Sequence, residues 1–64
     1  MEKINLLDKE IPELEQILEN MGEQKYRAKQ IFRWFGKGVT EIDEMTDLSK
    51  SLREKLKQIS YIGS

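Results

Sequence analysis

Ile11, Leu14, Ile17, Leu18 and Met21 recur at steps of three and four, the interval that lines one face of an α-helix. Polar and acidic residues fill the positions between them, so the spacing predicts an amphipathic helix over about residues 10–21. Pro12 fits its first turn, where the missing N–H costs no hydrogen bond. Glu10, Glu13 and Glu15 suit the positive end of the helix dipole. No strong capping residue stands immediately before Pro12, although Asp8 would cap a slightly earlier start. Gly22 supplies the left-handed residue on which many helices end.

A second run, QKYRAKQIFRWFGKG at residues 24–38, places Ala28, Ile31, Phe32 and Phe35 on one face with Tyr26 and Trp34 at its margins. Gly36 and Gly38 are expected to stop this helix and turn the chain. A short turn or helix over TEIDEM, residues 40–45, would let Ile42 and Met45 touch the core. Ser49 then reads as the N-cap of a third helix, with Leu48 as a hydrophobic contact just outside it. Leu52, Leu56 and Ile59 form its apolar stripe, and Lys50, Arg53 and Lys57 face outward beside that stripe. Tyr61 and Ile62 leave the helix, either packing back or starting an extended segment. The predicted fold is all-α: a small bundle of three main helices and one short one, in a single domain spanning residues 1–64.

Size and composition narrow the chemistry. A chain of 64 residues buries roughly 60% of the surface it exposes when unfolded, so its core is small. It contains no Cys, which excludes disulfides, thiolate nucleophiles and Cys-ligated clusters within this segment. It contains no His, which removes imidazole acid–base chemistry and the usual zinc sites. No apolar run approaches the length of a membrane span or the core of a signal peptide, so a cytoplasmic location is expected and no membrane partner.

The acids Glu10, Glu13, Asp43, Glu44 and Asp47 lack the spacing of a calcium loop, and Glu15 with Glu19 sits on a surface stripe with no evident pocket. Ser49 has no base to activate it. The glycines of GKG follow a helix, whereas nucleotide-binding loops precede one. No catalytic residue and no metal ligand set is predicted.

The net charge of -1 conceals four blocks. Residues 1–23 hold seven acids and two bases, residues 24–40 five bases and no acids, residues 41–48 four acids, and residues 49–64 four bases and one acid. Either the blocks neutralise one another, or a basic face is left to attract phosphate. Lys25, Arg27, Lys29, Arg33 and Lys37 are candidates for that face, with Gln30 as a hydrogen-bonding neighbour. Lys29, Arg33 and Lys37 follow each other at intervals of four and stack on one side. Lys50, Arg53 and Lys57 would add a second edge if the helices pack side by side. Arg53 has two readings, an ion pair with an acid or a contact to phosphate. Trp34 could stack on an unpaired base, or pack with Phe35 in the core or at an interface. Met45 reads as a flexible core filler.

The stretch GEQKYRAKQIFRWFGKGVTEIDEMTDLSKSLREKL at residues 22–56 resembles the N-terminal accessory domain of the RlmN-type radical S-adenosylmethionine RNA methyltransferases. The matching pieces are Gly22; then Tyr26, Arg27, Ala28 and Gln30; then Trp34; then Met45, Thr46, Leu48, Ser49, Lys50, Leu52 and Arg53. The preceding LLDKEIPELEQILENMG is similar to the first helix of the family. The resemblance implies a helix-hairpin-helix-like accessory fold that helps engage structured RNA. It implies a parent enzyme that methylates C2 of an adenosine in 23S rRNA, and often in tRNA, with a 4Fe-4S cluster and S-adenosylmethionine. In the family the CxxxCxxC motif, the methyl-carrying cysteines and the cofactor pocket belong to a following barrel.

None of these occurs here, so the resemblance implies a segment that binds no cofactor and is inactive alone. Its partners would be 23S rRNA, often tRNA as well, and the radical SAM catalytic domain of the same parent. On this reading Lys25, Arg27, Lys29, Gln30, Arg33, Lys37, Lys50 and Arg53 are the candidate RNA contacts. Tyr26, Trp34, Phe35 and Met45 would hold the helices together or dock on the catalytic domain. The alternative is a structural or protein-interaction module whose basic helix docks on an acidic protein surface.

Overall fold

A computed structural model describes residues 2–63; Met1 and Ser64, the last residue of the expected exit segment, lie outside it. Three ten-residue helices dominate: α1 (Ile11–Asn20), α2 (Arg27–Gly36) and α3 (Lys50–Ile59). Two short 3₁₀ turns, Leu6–Asp8 and Ile42–Glu44, and two two-residue strands, β1 (Ile4–Asn5) and β2 (Ser60–Tyr61), complete the order. The fold is all-α in the sense the sequence predicts, with the 3₁₀ turn Ile42–Glu44 as the short fourth helix.

The helix ends show which local signals were decisive. Glu13 accepts a bond at 3.0 Å from the Glu10 N–H, so Glu10 stands at the N-cap of α1. Asp8 does not cap that helix. It ends the first 3₁₀ turn, whose own cap is the Asn5 side chain accepting from the Leu7 N–H at 3.1 Å. After α1, the Glu23 N–H donates to Leu18 O at 2.9 Å and the Gly22 N–H to Glu19 O at 3.0 Å, with Gly22 at φ +78°. This paired closure requires a left-handed residue, which glycine adopts without strain.

The same closure repeats after α2, where Gly38 has φ +76°, its N–H reaches Phe35 O and the Val39 N–H reaches Trp34 O. Gly36 therefore does not stop α2. It is the helix's last residue, and Gly38 alone makes the turn. The Ser49 hydroxyl caps α3 by accepting from the Leu52 N–H at 3.1 Å.

Each apolar stripe reaches a common core. Leu6, Leu14, Leu18, Ala28, Ile31, Val39, Ile42, Met45, Leu48, Leu52 and Leu56 are buried, with Trp34, Phe35 and Ile62 among the partly buried residues packed against them. Phe32 departs from expectation, for it is exposed. The inward seam of α2 runs through Ala28, Ile31, Trp34 and Phe35, and a residue one step beyond Ile31 is turned about 100° away from it. Trp34, expected only at the margin, takes the place in the seam that Phe32 leaves.

The chain termini are tied together. β1 and β2 pair in parallel, Ile4 opposite Ser60 and Asn5 opposite Tyr61. The Asn5 amide continues the pairing by donating to Gly63 O at 3.1 Å and accepting from the Gly63 N–H at 3.2 Å. Ser60 is buried, and its hydroxyl donates to Leu56 O at 2.6 Å, closing the end of α3 as the chain becomes extended.

Candidate nucleic-acid interface

The seam that buries one side of α2 leaves the opposite side to solvent, because residues three and four apart share a face. Lys29, Arg33 and Lys37 lie there, all exposed. Lys29 and Arg33 have no carboxylate within ion-pair distance among the described residues, whereas five ion pairs form elsewhere. Lys37 holds its ammonium 4.7 Å from the centre of the Trp34 ring. Arg27 and Gln30 are half-buried and bond to each other, Nη1 donating to Oε1 at 2.8 Å. The Arg27 guanidinium also lies 4.7 Å over the Tyr26 ring. Lys25 pairs with Glu19 at 3.2 Å across the α1–α2 turn.

The bases of α3 face a different environment. Asp43, in the second 3₁₀ turn, accepts from Lys57 Nζ at 2.9 Å and lies 3.8 Å from Arg53 Nη1. The same Arg53 nitrogen donates to the Asp43 backbone carbonyl at 3.1 Å. Arg53 keeps only 21% of its side chain exposed, so of its two readings the structure shows the ion pair. Lys57 also approaches Glu54 at 3.5 Å, and Lys55 pairs with Glu23 at 2.7 Å. Lys50 is exposed at the start of the same helix.

The hydrogen bond from Lys57 holds the Asp43 carboxyl below its usual range, helped by the charges of Lys57, Arg53 and Lys50 and opposed by partial desolvation. The reciprocal bond raises Lys57. Glu44 is lowered chiefly by the Thr40 hydroxyl, which donates to it at 2.6 Å.

The expected packing residues divide. Met45 is fully buried and Phe35 is partly buried against the core. Trp34 packs there too, and its indole N–H donates to Asp47 Oδ1 at 2.8 Å. With that N–H spent and Lys37 over its ring, Trp34 is not offered to a base. Tyr26 is 56% exposed and meets Arg27 rather than the core, so it does not hold the helices together. The aromatic residue that the sequence reading placed wrongly is Phe32, at 40% exposure.

One open groove, of about 320 Å³, lies on another side of the molecule, lined by Lys3, Thr40, Glu41, Ile42, Asp43, Lys57, Ser60, Tyr61 and Ile62. Its charged groups include the Asp43–Lys57 pair already satisfied internally. Among the described residues no three potential metal ligands converge.

Comparison with known proteins adds ancestry to this geometry. Residues 4–62 match the family model described as the ribosomal RNA large subunit methyltransferase N-terminal domain. The chain is similar to a probable dual-specificity RNA methyltransferase RlmN of Alkaliphilus oremlandii (strain OhILAs), 58% identical over 62 residues, covering 97% of this chain and 18% of that protein. A protein of the same description from Thermoanaerobacter sp. (strain X514) is 54% identical over 60 residues, covering 92% of this chain and 18% of its own length. The dual-specificity RNA methyltransferase RlmN of Marinobacter nauticus is 45% identical over 62 residues, 95% of this chain and 17% of that protein. The chain thus spans less than a fifth of the length of the curated relatives it matches.

Proposed function

The chain belongs to the ribosomal RNA large subunit methyltransferase N-terminal domain family, and we propose that it is the RNA-recognition domain of a radical S-adenosylmethionine methyltransferase acting on adenine C2. The substrate is 23S rRNA, with tRNA as a second one. Residues 1–64 form the N-terminal accessory domain, and the barrel that follows it in the parent carries the chemistry. A 4Fe-4S cluster does not fit this segment, which offers no Cys or His to ligate it; in the parent, the cluster and S-adenosylmethionine would belong to the barrel.

The observation that carries the reading is the outer face of α2. Lys29 and Arg33 lie exposed there without an acid partner among the described residues, while Lys25, Arg53, Lys55 and Lys57 are paired. An unneutralised pair of cations on a rigid helix positions phosphates without reading a base. This is the service a catalytic domain needs when its target base lies inside folded RNA. Lys37, exposed, continues the row just past the end of α2, and Lys50 is exposed at the start of α3. Tyr26, exposed and covered by Arg27, is left for contact with the catalytic domain.

The test is a salt titration of binding to a folded fragment of the RNA. Removing two phosphate contacts should reduce the slope of log affinity against log salt by roughly two. The double variant Lys29→Ala/Arg33→Ala is therefore expected to bind more weakly and with a shallower salt slope, with its helical circular dichroism unchanged. Binding equal to that of the parent chain at every salt concentration would refute the assignment and leave the helical interaction module in its place.

A further inference from the structure

The outward face of α2 carries an aromatic ring that the core does not use. Phe32 is 40% exposed, and its ring meets Phe35 at a centroid distance of 5.7 Å and an angle of 57°. Phe35 itself packs on the core, so Phe32 is braced from below and open above. Gly36, one turn further on, has no side chain to overhang the ring, and a Cβ built there would meet nothing within 4 Å. At 100° per residue, Phe32, Lys29 and Arg33 fall within an arc of roughly 100°. An exposed ring thus stands at one edge of an arc whose other positions carry two cations that have no acid partner among the described residues.

We infer that this face holds an unpaired nucleotide of RNA, its base stacked on Phe32 and its flanking phosphates on Lys29 and Arg33. The inference rests on the RNA-recognition reading and adds to it the class of RNA: a loop or junction with a displaced base. A continuous duplex offers phosphates to the two cations but keeps its base faces stacked inside, leaving the ring in water. An unpaired base presents its own face, and every base has one. A protein surface would have to supply an apolar pocket with two acids beside it, whereas one nucleotide with its neighbouring phosphates supplies the ring and both charges together. Trp34 cannot take this part, since its indole N–H is bonded to Asp47 and Lys37 covers its ring.

Fluorescence anisotropy with two labelled RNAs tests the inference: a stem–loop, and a blunt duplex with the same stem sequence and no loop. The parent chain should prefer the stem–loop. Phe32→Leu keeps an apolar group against Phe35 but removes the stacking surface. It should weaken stem–loop binding about fivefold or more while leaving duplex binding unchanged, and Phe32→Tyr should retain the preference. Thermal melts of each variant confirm that the fold is kept. If Phe32→Leu binds the stem–loop like the parent, or weakens both RNAs equally, the stacking inference is wrong, and a loss with Lys29→Ala/Arg33→Ala would leave the RNA-recognition reading intact. If the double charge variant also binds both RNAs as the parent does, or the parent binds neither, that reading falls and the inference with it.

Discussion

Ile31 is the residue through which the fold and the binding face can be separated. Its side chain is fully buried on the inner side of α2, while Lys29 and Arg33 lie exposed on the outer side. Ile31→Val removes one methyl group from that packing and should cost about 0.5–1.5 kcal/mol; Ile31→Ala should cost about 2–5 kcal/mol, because the vacated space closes only in part. At roughly 0.05–0.15 kcal/mol per residue, a domain of this length has about 3–10 kcal/mol in total. The valine variant should therefore stay folded with its melting temperature lowered by about 5 °C for each kcal/mol lost, and the alanine variant should lose about a fifth or more of the whole. Urea titration followed by far-UV circular dichroism and by fluorescence of Trp34, the sole tryptophan, measures both changes. The two probes should report one transition. At temperatures where it is folded, Ile31→Val should bind RNA like the parent, since the outer face is untouched. An Ile31→Ala variant within about 0.5 kcal/mol of the parent, the range typical of surface changes, would refute the packing of α2 described here.

Two further predictions follow from the turns and their charges. Gly22→Ala should destabilise by about 1–2 kcal/mol from left-handed strain alone, as φ is +78° and nothing crowds the site, whereas Gly36→Ala, with ordinary helical backbone and equally open space, should be neutral or stabilising by up to about 1 kcal/mol; equal effects in urea titration would contradict the turn geometry. Asp43 and Glu44 are held below their usual range, so the unfolded chain binds more protons as pH falls: their contribution is complete above the ordinary carboxylate pKa of about 4 and is lost below it. Urea midpoints measured from neutral pH to about pH 2.5 should fall less steeply in Asp43→Asn/Glu44→Gln than in the parent, and an identical slope would remove these two groups from the account.

What the sequence showed of the fold follows the range of each interaction. α1, α2 and α3 were legible because their stripes repeat within a turn or two, and Gly22 and Ser49 were legible because caps act on neighbouring residues. The parallel pairing of Ile4 with Ser60 has no local signal, since two residues of strand carry no period and their partners are at the opposite end of the chain. Leu6 and Val39 entered the core unannounced for a related reason. Each is delivered there by a turn, Leu6 by the 3₁₀ turn that Asn5 caps and Val39 by the bond its N–H makes across Gly38. In the candidate site the row Lys29, Arg33 and Lys37 could be read from intervals of four. The capture of Arg53 by Asp43 could not, because a ten-residue separation brings them together only through the fold. Phe32 was misjudged because an apolar residue beside a stripe was assumed to belong to it.

The four charge blocks can now be assigned. α2 and α3 are both basic, and two such helices in one small domain would repel each other without an intervening acid. The acidic segment 41–48 lies between them in sequence and reaches both, Asp43 to Arg53 and Lys57 on α3, Asp47 to Trp34 on α2. The acids of the first block take Lys25 and Lys55 through Glu19 and Glu23. Neutralisation between blocks therefore accounts for Lys25, Arg53, Lys55 and Lys57, and among the described residues it does not reach the α2 row Lys29, Arg33 and Lys37. A chain with net charge -1 can in this way keep a local positive face. An anionic partner is attracted to that face by a field that falls away within about 8–10 Å at moderate salt, so the partner must be brought to α2 itself and not merely to the domain. That short range leaves the choice among anions to the residues beside the cations, which is the part proposed above for Phe32.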